Sequence, residues 1–170
     1  MINEVARNIL RFLFLVLFQA LILNHIELNG YLNPFLYVLF ILMLPFQTPD
    51  WLVLVLAFTM GISVDMFSDT GGLHAASAVF MAFLRQPVLK LISPRDGYDV
   101  VQKPTIQQFG LGWFFSYAGI LVFIHHFVLF FMEAFHFTEF FSTLFRVILS
   151  SLFTLTLIFI SQFFFSNSKS

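Results

Sequence analysis

The residues best equipped for chemistry lie between positions 61 and 74, Gly-Ile-Ser-Val-Asp-Met-Phe-Ser-Asp-Thr-Gly-Gly-Leu-His. Asp65, Asp69 and His74 bring two carboxylates and an imidazole to one short stretch, around the double glycine Gly71-Gly72. Such groups can bind a cation, carry a proton or act as acid and base. They stand between two apolar runs that each look long enough to cross a bilayer, where an ionisable group is costly unless it faces protein or water. A metal needs a ligand set of suitable type and spacing. Asp65, Asp69 and His74 match no established metal motif, and no metal is expected.

Three readings of Asp65 stay open. It can sit at a helix end in interfacial water, with Asp69-Thr70-Gly71-Gly72 as an ordinary turn. It can hydrogen-bond to backbone or to a neighbouring helix inside a bundle, or it can serve a ligand or a proton. Ala57, Gly61 and Asp65 recur every four residues, so they share one helix face on which small side chains admit a second helix. His74 opens the next apolar run, where a lone His is expected to be a hydrogen-bonded structural residue.

Elsewhere the signals are weaker. His125 and His126 point to different faces of one helix and do not make a simple paired ligand set; they read as structural or interfacial. Gly112, Ser116 and Gly119 form a small-residue stripe, a packing face within the bundle or for a partner. Arg146 can snorkel or pair with Glu133 or Glu139. The polar segment 93–108 contains Arg95, Asp96, Gly97 and Tyr98, and Pro94, Gly97 and Pro104 argue for a turn-rich loop. It reads as a solvated linker or as a docking element. The chain has no phosphate-binding Gly-Lys-Ser loop, no His-Glu-x-x-His helix, no Gly-x-Ser-x-Gly elbow and no Cys. No catalytic residue, cofactor or nucleic-acid partner is expected, and an enzyme is not the reading.

These residues must be positioned by helices. The chain is 59% hydrophobic and 10% charged, with 27 Phe in 170 residues, against roughly 25% charged residues in soluble domains. Apolar runs recur at lengths that fit a hydrocarbon core of roughly 30 Å. Six spans in one integral membrane domain are expected, at about 9–28, 34–46, 51–67, 73–92, 109–132 and 140–165. The first is read as retained, since Asn24-His25-Ile26-Glu27 is no cleavage site. Asn33-Pro34 is expected to open the second, a short span leaning on its neighbours. With the N-terminus inside, Arg7, Arg11, Arg85, Lys90, Arg95, Lys103 and Lys169 collect on the cytoplasmic side, leaving Arg146 of the 8 cations. This asymmetry predicts both termini in the cytoplasm.

The 61–74 block, the Ala82-Phe83-Leu84-Arg85 run and the Ser93-Pro-Arg-Asp-Gly-Tyr98 loop together resemble the rod shape-determining MreD family, in its Bacteroidetes-like branch. The resemblance covers most of the chain, and the 61–74 block is its specific part. It implies an all-α inner-membrane bundle, similar to the substrate-binding subunits of energy-coupling-factor transporters. It also implies a non-enzymatic subunit of the bacterial wall-elongation complex, with an MreC-like scaffold, MreB and a peptidoglycan glycosyltransferase–transpeptidase pair as partners. The architectural likeness carries the alternative, a vitamin-type transporter subunit. The family supplies no catalytic residues to place on this chain.

Overall fold

The computed structural model describes residues 2–25, 32–95, 97–99, 102–135 and 140–166. These residues fold entirely through helices: α1 (Ile2–Leu21), α2 (Leu39–Leu42), α3 (Asp50–Ser68), α4 (Leu73–Leu91), α5 (Ile106–Ala134) and α6 (Phe140–Ser166). Three stretches are long and apolar enough to cross a membrane, Asp50–Ser68, Ile106–Ala134 and Phe140–Phe163. α4 packs between α3 and α5, α6 packs on α5, and α1 packs on α3.

α4 is two-faced. Its buried residues, His74, Ser77, Ala78, Met81, Ala82, Arg85, Val88 and Leu89, repeat at helical spacing. Small Ala and Ser positions on that face let its neighbours approach. The outward surfaces of the other helices are apolar. Leu10 of α1, Phe58 of α3, Leu111 of α5 and Phe141 of α6 are all more than half exposed. Phe163 is exposed as well, while the side chains of Phe164 and Phe165 lie outside the described residues.

The second expected span is overturned in its form. Only a 3₁₀ turn, Leu36–Val38, and the four residues of α2 are helical there. At a rise of roughly 1.5–2 Å per residue this is far short of a bilayer crossing. Pro34 does not open a helix; residues 33–35 are non-helical and Phe35 precedes the first turn. Yet Tyr37, Val38, Ile41 and Leu42 are fully buried, so the segment is a plug inside the bundle.

Buried non-helical backbone must find partners outside its own segment. At the leading end, Leu36 N–H donates to Gln19 Oε1 at 2.9 Å, and Gln19 Nε2 donates to the Pro34 carbonyl at 3.0 Å. Phe35 N–H donates to Thr154 Oγ1 at 3.0 Å and Asn33 N–H to Ser150 Oγ at 3.1 Å. At the trailing end, Tyr117 O–H donates to the Leu42 carbonyl at 3.1 Å. Arg85 Nη2 donates to the Leu44 carbonyl at 2.5 Å and, more weakly, to Pro45 at 3.4 Å. α1, α4, α5 and α6 therefore each give the plug a polar side chain.

Arg85 is accordingly not a loop cation. It is 1% exposed, and the positive-inside tally loses one of its members to the interior. At the other end, Arg146 pairs with Glu133 at 3.1 Å and lies over the Phe130 ring. Glu139, the other partner considered, lies outside the described residues.

Candidate functional site: the α3–α4 latch and the buried histidines

α3 and α4 are joined by Asp69-Thr70-Gly71-Gly72. Asp69 (φ 54°), Gly71 (φ 58°) and Gly72 (φ 99°) all lie in the left-handed region, which turns the chain back within four residues. The antiparallel helices then meet closely at Gly61. A Cβ on that residue would stand 2.6 Å from the Ala75 nitrogen and 2.7 Å from the His74 carbonyl oxygen. Ala57 and Asp65, one turn away on either side, are buried with it.

That approach brings Asp65 to the start of α4. Gly72 has no side chain to cap the helix, so the first backbone N–H groups need another acceptor. Asp65 supplies it from the preceding helix. Oδ2 accepts Ala75 N–H at 2.9 Å, and Oδ1 accepts His74 N–H at 3.0 Å. A carboxylate at a helix N-terminus also opposes the helix dipole favourably. Oδ1 further accepts Thr70 Oγ1–H at 2.6 Å and His74 Nδ1–H at 3.0 Å.

His74 is thereby held with its proton on Nδ1, which leaves Nε2 as a buried atom without a partner. The ring packs edge-on against Phe35, centroids 5.1 Å apart, and against Tyr37 at 5.9 Å. From α5, His125 meets both of these aromatics and His126 meets Phe35, and both histidines are completely buried. They are interior residues, not interfacial ones.

The two α5 histidines differ in their bonding. His126 Nδ1–H donates to the Val122 carbonyl at 2.8 Å, and its Nε2 accepts Thr154 O–H at 3.1 Å. Thr154 in turn accepts Phe35 N–H, so the whole line is satisfied. His125 Nε2 meets Tyr37 Oη at 2.6 Å, but its Nδ1 has no partner. Either tautomer leaves an unpaired group: Nδ1–H when Tyr37 donates, the Tyr37 hydrogen and a lone pair when Nε2–H donates.

Asp65, His74, Tyr37, His125 and His126 therefore make one buried polar cluster around Phe35. Chemically, it holds a carboxylate–imidazole pair with a fixed tautomer and two ring nitrogens able to accept or donate a further hydrogen bond. No group of three His, Asp or Glu placed to hold a metal occurs among the described residues. Asp69 belongs to the turn and contributes its backbone conformation, its N–H closing on the Asp65 carbonyl.

The remaining candidates go elsewhere. Tyr98 is half-buried at the opposite end of α4. It stacks on Phe46 with centroids 4.4 Å apart, and its O–H donates to the Leu89 carbonyl at 2.9 Å. Trp113 Nε1–H donates to the Ile92 carbonyl beside it at 3.1 Å. Tyr98 thus staples the loop to the bundle, where burial raises its pKa above the usual tyrosine value. Arg95 and Gly97 are exposed, and Asp96 lies outside the described residues.

The stripe on α5 does not pack within the bundle. Gly112 and Ser116 are exposed, and a Cβ at Gly112 or Gly119 would meet nothing within 4 Å. Ser116 returns its hydroxyl to the Gly112 carbonyl of its own helix. No family model, curated protein or solved structure matches this chain.

Proposed function

We propose that this chain is a non-enzymatic, multi-pass subunit of the bacterial inner membrane, of the MreD type. In this reading it assembles an MreC-like scaffold, MreB and peptidoglycan synthases for side-wall elongation. The observation that carries it is the Asp65 latch. In the block that bears the resemblance, Gly61 and the Asp65 carboxylate hold α3 against the start of α4. The motif thus maintains a shape, which is what an assembly subunit needs from it. The outward apolar surfaces and the Gly112–Gly119 stripe are available to partner helices.

The membrane reading also accounts for the plug. Non-helical backbone at bilayer depth is tolerated only where protein satisfies it, and Gln19, Thr154, Tyr117 and Arg85 do so. Purification of the tagged chain in mild detergent tests the proposal: an MreC-like protein should co-purify, and depletion should give rounded cells. Normal rods after depletion, with no wall-synthesis protein recovered, would sink it.

A second reading, a small-molecule binding subunit similar to those of energy-coupling-factor transporters, rests on His74 Nε2 and His125 Nδ1. Both are buried nitrogens with unused hydrogen-bonding capacity. A vitamin-sized ligand retained through purification, together with an energising ATPase module, would favour it over the first.

A further inference from the structure

Arg85 has a second peculiarity. Its guanidinium is buried, yet all its hydrogen-bond partners are neutral: Tyr117 Oη, accepting from Nε at 2.9 Å, and the Leu44 and Pro45 carbonyls. Nη1 has no partner at all. Among the described residues no carboxylate pairs with it. A buried charge is normally paired, because the interior neither solvates nor screens it.

The residues that flank Arg85 and its Pro45 contact, Gln86 and Phe46, line a cleft of about 420 Å³, with Leu89 between Gln86 and Lys90 on the helix. Phe46 and Gln47, which follow the Pro45 carbonyl that Arg85 touches, form one wall. Gln86, Lys90 and Ser93 form the other, with Tyr98 completing it. The cleft therefore has an exposed ammonium, two side-chain amides and a hydroxyl on its lining and an apolar aromatic side, and the Arg85 guanidinium bonds the carbonyl of Pro45, the residue before its Phe46 wall. No carboxylate lines it among the described residues. A buried charge is screened less than a surface cation at the same distance.

We propose that this cleft binds a phosphate group, with Lys90 as its direct cation, Gln47 and Gln86 as amide donors, and Arg85 as the buried charge that biases the site. In the cell the phosphate has two sources, an acidic lipid headgroup or a soluble phosphate. Basic pockets between helices near the membrane surface suit the first. The stacked Tyr98 and Phe46 rings provide an apolar flank next to the polar lining, as a headgroup with its glycerol requires. The inference is independent of the wall-elongation reading, since it uses none of the latch residues.

The test uses the full chain in neutral detergent and in nanodiscs. Mixed phosphatidylglycerol and phosphatidylcholine are offered, retained lipid is counted by native mass spectrometry, and inorganic phosphate is tested as competitor and as thermal stabiliser. Preferential retention of phosphatidylglycerol, weakened about tenfold or more in Lys90→Glu, is the expected result. Competition by millimolar inorganic phosphate, or stabilisation by it alone with the same Lys90 dependence, would assign the site to soluble phosphate and still support it. Arg85→Gln removes a support of the plug and can unfold the protein. Lys90→Glu and Gln86→Leu, on the exposed and half-buried surface, keep the test decisive. Equal retention of both lipids with no phosphate effect, or acidic-lipid retention unchanged in Lys90→Glu, would overturn the proposal.

Discussion

The carboxylate of Asp65 accepts the backbone N–H of Ala75 at 2.9 Å, so the first turn of α4 is capped by a residue of α3. One side chain thereby joins the helix, the turn and the interhelical contact. Disturbing any of the three disturbs the others, and the consequences can be measured.

Asp65→Ala should destabilise the detergent-solubilised protein more than Asp65→Asn. Alanine strands two backbone N–H groups and the His74 imidazole, and each bond to a charged acceptor contributes about 1.5–3 kcal/mol. Asparagine keeps one acceptor oxygen. Thermal unfolding followed by fluorescence-detected size exclusion would read the order, and equal losses for the two variants would contradict the capping role.

Gly61→Ala should be damaging although it adds one methyl group. The new Cβ would meet α4 backbone, which cannot rotate away, and overpacking of this kind costs about 1–3 kcal/mol. Membrane level and melting temperature are the readouts. A variant as stable as the parent would mean that α3 and α4 lie farther apart than described.

Gly119→Leu should have the opposite profile. Nothing lies within 4 Å of that position, so stability in detergent should stay within about 0.5 kcal/mol of the parent. Recovery of a partner helix that uses the stripe should fall. Unchanged recovery would show that this side of α5 contacts lipid.

Tyr98→Phe keeps the stack on Phe46 and removes the bond to the Leu89 carbonyl, worth about 1 kcal/mol. Burial holds the Tyr98 pKa above its usual value. Its folded form therefore retains a proton that the released loop would lose, and the anchor weakens as pH rises above about 10. Cleavage within the 93–105 loop by a broad-specificity alkaline protease should accelerate over that range in the parent, and the Phe variant should lack this pH dependence. A parent profile matching that of the Phe variant would remove Tyr98 from the anchor.

A single Cys at Asp99 should be reached by impermeant reagent only from the cytoplasmic side, as the Lys and Arg distribution predicts. Labelling in intact cells would invert the orientation.

The helical class and most helix positions were legible from composition and run length. Long apolar stretches bounded by Pro49-Asp50, Gly71-Gly72 and the 93–105 loop leave little freedom for other structure. The latch was half legible: the four-residue spacing of Ala57, Gly61 and Asp65 marked a close-packed face, but not which helix met it. The second segment misled, because Asn33-Pro34 carries a local helix-start signal that tertiary bonds from Gln19 and Thr154 override. Gln19, His125, His126 and Thr154 were visible as polar residues in apolar runs, which was the available signal for the buried cluster.

By itself, then, the chain determined that its long apolar runs become helices and where the sharp turn must fall, because those depend on neighbours a few positions apart. Only the tertiary structure decided that Asp65 caps α4, that Tyr37 meets His125, and that Arg85 turns inward to the Leu44 carbonyl. These partners are 10, 88 and 41 residues apart in sequence. The need of a buried polar group for a partner is evident locally, but the identity of that partner is set by which helices pack together.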